Sequence, residues 1–63
     1  MMGQNIRNFR KKKGLSQEKL ARAADISLNT LTKLESGFAT KPTIQTVAKI
    51  AKALDVSVDE LIK

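Results

Sequence analysis

Three polar residues, Asn29, Thr32 and Lys33, lie close together in a stretch whose apolar residues recur at helical spacing. Leu31 and Leu34 fall on the buried face of that helix, so the three polar residues fall on its other faces, near its start. An amide, a hydroxyl and an ammonium group supply donors and acceptors that can pair with base edges in the major groove of a DNA duplex. Such pairing needs a scaffold that projects this helix outward.

Catalytic and metal-binding chemistry has few possible carriers in this sequence. It contains no histidine and no cysteine, which removes the commonest catalytic base, thiolate ligands and disulfides. A nucleophile would have to be a serine or lysine in a pocket, and 63 residues leave little room for a cleft. Ser16, Ser27 and Ser57 are better explained as helix caps. We expect no enzyme activity, no cofactor, no metal site and no small-molecule substrate.

The basic side chains are unevenly distributed. The net charge is +6, and residues 1–33 contain eight basic and two acidic side chains, whereas residues 34–63 contain four of each. A basic half beside a neutral half suggests one face for a polyanion and another for packing or partners. A solvated basic surface that only improves solubility would give the same composition, so charge alone leaves both interpretations open.

Apolar residues recur every three or four positions in short stretches separated by turn and capping residues. The pattern predicts a single domain over residues 1–63 with five helices and no strands, because alternation never persists. The predicted helices cover residues 4–13, 17–24, 28–36, 44–54 and 58–62. The fourth has an apolar stripe formed by Ile44, Val47, Ala48, Ile50, Ala51 and Leu54. Ser57 and Glu60 form a capping box that opens the fifth, which contains Leu61 and Ile62.

The second and third predicted helices are joined by very few residues. Helices joined by so short a turn cross at a steep angle, so the first can cross a DNA backbone while the second enters the major groove. The sequence therefore predicts an all-α fold, a compact five-helix bundle with a helix-turn-helix formed by helices 2 and 3.

Several motifs support a family resemblance. The segment 15–21, LSQEKLA, together with Ile26-Ser27 and the segment 34–37, LESG, resembles the phage-repressor and Cro-type helix-turn-helix family. Pro42-Thr43 and the segment 50–57, IAKALDVS, are similar to the remaining two helices of that family. The resemblance covers about residues 5–62 and implies a lambda-repressor-like domain that binds operator DNA, usually as a two-fold dimer.

The resemblance implies roles for individual residues. The positions that vary with the base sequence in this family match Ser27, Leu28, Asn29, Thr32 and Lys33. Gln17 matches a glutamine that contacts a DNA phosphate and can support the recognition helix. Arg10 and Glu35 match an ion pair that ties the first helix to the end of the third. We do not expect Glu35 to contact DNA, because phosphate would repel its carboxylate.

Further phosphate contacts are expected at both ends of the recognition unit, from side chains or from free backbone N–H groups at a helix start. The residues predicted for this role, besides Gln17, are Ser16, Lys41, Thr43 and Ile44. Lys11, Lys12 and Lys13 either contact phosphates directly or only steer the duplex towards the domain, since lysines at a helix end also interact favourably with its dipole.

Four residues depart from the family pattern or have two interpretations. Asp25 and Asp55 follow helices where glycine is common, and aspartate tolerates the left-handed conformation at some cost in stability. Leu28 either contacts a thymine methyl group or lies, partly exposed, against Gln17 or the turn. Phe38 is expected in the core or as a flap over it, rather than as a base-stacking residue.

Val56, Ser57 and Val58 form the expected dimer surface, since this family often pairs through that corner. The alternative is that both valines belong to the core of the monomer. A homodimer would place two recognition helices about one helical turn (~34 Å) apart on a near-palindromic operator in double-stranded DNA.

The predicted function is sequence-specific DNA binding by a transcriptional regulator, most simply a repressor that occludes promoter DNA. Antitoxin and restriction-control proteins share the fold. The alternative is a protein–protein interaction module that retains the fold with weak or no operator reading. Because Met1 to Lys13 has no signal-peptide core and no apolar run approaches the ~20 residues of a membrane span, we predict a cytoplasmic, nucleoid-associated protein with no membrane partner.

Overall fold

The computed structural model describes residues 2–38 and 42–63. Within these residues it contains five α-helices and no strand, and the predicted all-α fold is confirmed. The helices are α1 (Met2–Lys12), α2 (Gln17–Ala24), α3 (Leu28–Ser36), α4 (Ile44–Leu54) and α5 (Val58–Ile62). The bounds of α2 to α5 coincide with the predicted ranges. The range predicted for α1, roughly residues 4–13, overlaps the observed helix, which begins two residues earlier and ends one residue earlier.

A hydroxyl residue in extended conformation directly precedes each helix after the first and caps it. Ser16, Ser27, Thr43 and Ser57 each accept a hydrogen bond from the backbone N–H three residues ahead, at 3.1–3.2 Å. Ser57 and Glu60 form the predicted capping box. Since each such cap contributes about 1 kcal/mol, the short polar segments fix where the helices begin.

Left-handed residues follow the first four helices, and Gly14 (φ 69°) closes α1, with the N–H groups of Gly14 and Leu15 donating to the carbonyls of Lys11 and Arg10 at 3.0 Å. Asp25 and Asp55 have φ angles of 57° and 59°, and Gly37 has a φ of 81°. At each of these positions the backbone N–H donates to carbonyls of the preceding turn, which satisfies groups that a helix end leaves free. The two aspartates therefore adopt the conformation expected from the sequence.

The core lies between all five helices, with α1 packed on α3 and α5, and α2 packed on α3 and α4. Its buried apolar residues are Ile6, Leu20, Ala21, Ala24, Leu31, Leu34, Val47, Ile50, Ala51, Leu54 and Leu61. Phe9, Leu15, Ile26 and Val56 are among the partly buried residues that pack against it. None of the helices described is long and apolar enough to cross a lipid bilayer.

Three apolar residues, Phe38, Ile44 and Ala48, are exposed against the expectation from the sequence, and Ile62 is exposed as well. Phe38 is 87% exposed rather than in the core, because the left-handed Gly37 ends α3 and the chain turns outward there. Ile44 is 86% exposed, since it is the first residue of α4 and the buried face begins one turn later at Val47. Ala48 and Ile62 are also exposed, each next in sequence to a buried residue.

The start of α1 is fixed by two contacts that extend across the fold. Gly3 lies so close to the last turn of α3 that a β-carbon built on it would be 2.3 Å from the carbonyl oxygen of Leu34. Asn5 donates from Nδ2 to the carbonyl oxygens of Leu61 (2.9 Å) and Lys63 (3.3 Å) at the end of α5. The first helix therefore connects the recognition helix with the carboxyl-terminal helix.

Candidate nucleic-acid interface

The connection between α2 and α3 is a three-residue turn. The N–H of Ile26 donates to the carbonyl of Ala21 at 3.0 Å, and the N–H of Asp25 donates to Arg22 at 3.2 Å. Ile26 packs partly buried against the core, and Ser27 immediately caps α3. The chain thus reverses within one turn, and the first residues of α3 are left on the surface of the domain.

The residues predicted to contact bases extend along α3 from its cap, Ser27, to Lys33 in its last turn. The Ser27 hydroxyl accepts from the N–H of Thr30 and donates to its hydroxyl at 2.7 Å, so it is engaged within the cap. The Thr32 hydroxyl donates to the carbonyl of Asn29 at 2.9 Å. The side chains of Asn29 and Lys33 are exposed to solvent. They have the greatest freedom to pair with base edges.

Leu28 lies beside the start of α2. It forms one wall of a groove of about 510 Å³, which we call the α1–α2 groove and which is lined by Arg7, Arg10, Ser16, Gln17, Glu18 and Leu28. Leu28 also lines a smaller hollow, of about 260 Å³, with Ile26. It is partly exposed and next to Gln17, an arrangement compatible with both of its predicted roles, so contact with a thymine methyl group stays a prediction.

Arg10, Glu35 and Gln17 form a polar network beneath this surface. Arg10 binds Glu35 through two hydrogen bonds, Nε to Oε2 at 2.7 Å and Nη2 to Oε1 at 3.0 Å, and its Nη1 donates to the carbonyl of Leu15 at 2.8 Å. The side chains of the ion pair are 11% and 3% exposed. Gln17 donates from Nε2 to Oε1 of Glu35 at 3.1 Å. The network joins α1, the start of α2 and the last turn of α3.

The residues predicted to contact phosphates lie at two helix starts. Ser16 and Gln17 open α2, and the Ser16 hydroxyl accepts from the N–H of Lys19. Thr43 caps α4, so the N–H of Ile44 lies in the first turn of that helix, while the Ile44 side chain projects into solvent. Lys41 lies outside the described residues. Phosphate contact by each of these residues stays a prediction.

The remaining predicted groups are also on the surface. Lys11, Lys12 and Lys13 are exposed, and the Lys12 ammonium lies 5.7 Å from the centre of the Phe9 ring. At the corner between α4 and α5, Val56 packs against the core and Ser57 caps α5. Val58 and Ile62, which share one face of α5, are 40% and 57% exposed.

Sequence reasoning missed the contribution of Arg7 to this surface. Arg7 is exposed and lines the α1–α2 groove together with Ser16 and Gln17. The signal in the sequence was its spacing of three from Arg10, which places the two guanidinium groups on adjacent parts of one helix face. Within residues 2–38 and 42–63, there is no cluster of three or more acidic side chains that could hold a metal ion.

Comparison with known proteins agrees with this geometry. A family model described as helix-turn-helix matches residues 6–61. The HTH-type transcriptional regulator SinR of Bacillus subtilis (strain 168) is 40% identical over 62 residues, which cover 98% of this chain and 56% of SinR. The chain therefore spans little more than half the length of this curated relative.

Solved structures of related proteins superpose closely on this domain. The crystal structure of SinR, the master regulator for biofilm formation, in complex with DNA superposes with a TM-score of 0.97 at 40% identity and covers all of both chains. The restriction-modification controller protein C.AhdI from Aeromonas hydrophila superposes with a TM-score of 0.90 at 35% identity, over 95% of this chain and 89% of that one. The predicted resemblance is confirmed: the chain belongs to the Cro/C1-type helix-turn-helix family.

Proposed function

We propose that this domain binds double-stranded DNA sequence-specifically, with α3 in the major groove, and regulates transcription. The main support is the exposed face of α3, where Asn29 in the first turn and Lys33 in the last turn are exposed on a helix whose other face is buried through Leu31 and Leu34. Base reading requires a helix that is held in place by its buried face and presents polar side chains on its exposed face. The related SinR was crystallised with DNA, which supports the same proposal.

Repression is the simplest regulatory outcome of this binding. A domain this small occludes promoter DNA when its operator overlaps the polymerase site, and it needs no further activity to do so. The related proteins are transcriptional regulators, a class that is not enzymatic. Because such regulators act where bacterial DNA lies, the proposed location is the cytoplasm, in association with the nucleoid.

We further propose that the domain binds a near-palindromic operator as a homodimer. Support comes from α5, where Val58 and Ile62 leave an apolar strip exposed four residues apart on one helix face. Val56 adds less surface to this strip, because it is partly buried and packs against the core of its own monomer. Burying Val58 and Ile62 against a second copy would remove apolar surface from water.

The test is a selection from a randomised duplex pool with the 63-residue chain at moderate salt, followed by sequencing of the retained duplexes. We expect a near-palindromic motif with two half-sites one helical turn apart. The matched control is the Asn29→Ala/Lys33→Ala double variant, which should retain duplexes with a degraded motif. A single half-site would contradict the dimer, and retention without a motif would reduce the function to charge-driven binding. Failure to retain any duplex would favour a protein–protein module.

A further inference from the structure

Arg7 is a basic residue of α1 to which neither the helix-turn-helix motif nor the predicted DNA contacts assign a role. It lies on the exposed side of α1 and lines the α1–α2 groove opposite Ser16 and Gln17. It also lines a second groove of about 460 Å³, formed by α1 from Gly3 to Lys11 and by the end of α3. Arg7 therefore lines both grooves.

The neighbouring arginine cannot contact a ligand in the same way. All three guanidinium nitrogens of Arg10 donate within the protein, two of them to Glu35 and one to the carbonyl of Leu15. Among the residues that the structure describes, Arg10–Glu35 is also the one ion pair shorter than 4.0 Å. Arg7 thus presents a guanidinium without a carboxylate partner in the described part of the chain, directly beside a glutamine already expected to contact a phosphate.

An acidic residue shares the groove and must be accounted for. Glu18 lines the α1–α2 groove and would repel a phosphate placed against it. However, Glu18 is exposed and also lines the hollow on the other side of Leu28, together with Arg22. Arg22 follows it by four residues on α2, the spacing at which opposite charges attract. Among the described residues Glu18 makes no ion pair within 4.0 Å, either with Arg7 or with Arg22, so its carboxylate does not occupy the Arg7 guanidinium.

We infer that Arg7 contacts the DNA backbone and binds a phosphodiester on the same side of the duplex as Gln17. This inference rests on the proposed DNA-binding function and extends its contact surface from α2 to α1. The planar guanidinium group of arginine can donate two parallel hydrogen bonds to two phosphate oxygens, whereas the ammonium group of lysine lacks this geometry. Such a contact adds affinity for every sequence equally and carries no information about bases.

The test measures the duplex affinity of the 63-residue chain as a function of salt concentration. Each neutralised phosphate contributes about 0.9 to the slope of log K against log salt concentration. We expect Arg7→Gln to reduce that slope by about 0.9 for each bound protomer, so that per protomer the variant loses about three- to fourfold less affinity than the unsubstituted chain between 50 and 200 mM salt. The loss at low salt should be the same for operator and unrelated duplexes.

The matched control is Lys52→Gln, which removes one positive charge from an exposed position in the last turn of α4. It should leave the slope unchanged. Arg7→Lys should preserve most of the slope while weakening binding, because the charge remains and the fork is lost. Thermal unfolding of each variant checks that the fold is intact.

An unchanged slope in Arg7→Gln, or equal slope changes in Arg7→Gln and Lys52→Gln, would overturn the inference while leaving the proposed function in place. A changed base preference in Arg7→Gln would also overturn it, because a backbone contact cannot alter preference. If the unsubstituted chain bound no duplex at any salt concentration, the proposed function would fail and this inference with it.

Discussion

The side-chain amide of Gln17 donates a 3.1 Å hydrogen bond to Oε1 of Glu35, the same oxygen that accepts from Nη2 of Arg10. A residue expected to contact a DNA phosphate is therefore oriented by the last turn of the recognition helix. Gln17 has a second amide hydrogen that remains available to an anion. Arg10 in turn binds the Glu35 carboxylate, so residues of α1 and α3 together orient the Gln17 side chain at the start of α2.

The first prediction concerns the stability of this network. Glu35→Ala leaves the guanidinium of Arg10 buried without its charge partner and should lower the free energy of unfolding by about 3–5 kcal/mol. Gln17→Ala removes one hydrogen bond of a half-buried side chain and should cost about 1 kcal/mol. Urea unfolding followed by circular dichroism measures both. The control, Glu18→Ala, removes an exposed carboxylate and should change stability by less than about 0.5 kcal/mol. Equal losses in Glu35→Ala and Glu18→Ala would show that the pair contributes little.

The second prediction separates base reading from backbone contact. Asn29→Ala and Lys33→Ala should each relax preference at one base pair per half-site, with a cost of about 1–3 kcal/mol on the preferred operator. Gln17→Ala should weaken binding to all duplexes by a similar factor. Binding to a set of operators with single base changes measures the difference. Indistinguishable profiles for Asn29→Ala and Gln17→Ala would mean that this division of roles is wrong.

The sequence predicted most of the fold because local signals determine its helix boundaries. Hydroxyl caps at Ser16, Ser27, Thr43 and Ser57 mark the starts of α2 to α5, and these are residue types with a direct physical reason to be there. The first helix has no such cap among the residues that the structure describes, and its predicted start, about residue 4, lies two residues after Met2.

Burial was harder to predict than helicity. Periodicity identifies a helix face but not how far the neighbouring helices extend along it, so Ile44 was assigned to a buried stripe that begins only at Val47. Phe38 follows the left-handed Gly37, which ends α3, so the helical periodicity of α3 does not predict its burial. The place of Arg7 in the α1–α2 groove likewise depends on how α1 and α2 pack, which no local pattern reports.

The third prediction concerns the close approach of α1 to α3. Alanine is favoured over glycine within a helix by about 1 kcal/mol, so Gly3→Ala would stabilise an isolated α1. In the folded domain the added methyl group would meet the backbone carbonyl of Leu34 at 2.3 Å, and either α1 or α3 must shift. We expect a net loss of about 1–3 kcal/mol in thermal or urea unfolding. Asn8→Ala, an exposed change in the same helix, is the control and should be neutral or slightly stabilising. A stabilised Gly3→Ala variant would contradict the close packing.

The fourth prediction concerns the left-handed aspartate in the helix-turn-helix. At a φ of 57°, Asp25 has a conformation that costs a non-glycine residue about 1–2 kcal/mol, and its charge lies at the unfavourable end of the α2 dipole. Asp25→Gly removes both costs, although the greater freedom of glycine in the unfolded chain offsets part of the gain. We expect a net stabilisation of about 0.5–1 kcal/mol by urea unfolding. Asp25→Ala should be less stable than Asp25→Gly, because alanine keeps the steric cost, and the reverse order would contradict the explanation.

The fifth prediction tests the apolar strip on α5. If Val58 and Ile62 pair two protomers on an operator, Ile62→Gln should abolish cooperative binding to a duplex with two half-sites, while affinity for a single half-site is retained. The expected loss is the coupling free energy between protomers, about 1–3 kcal/mol, measured by mobility shift on both duplexes. Phe38→Gln is the control, because Phe38 is 87% exposed, lies outside α5 and has no predicted DNA contact, so cooperativity should be retained in that variant. Cooperativity that survives in Ile62→Gln would contradict a protomer contact through α5, because the apolar surface that the dimer buries would then lie elsewhere.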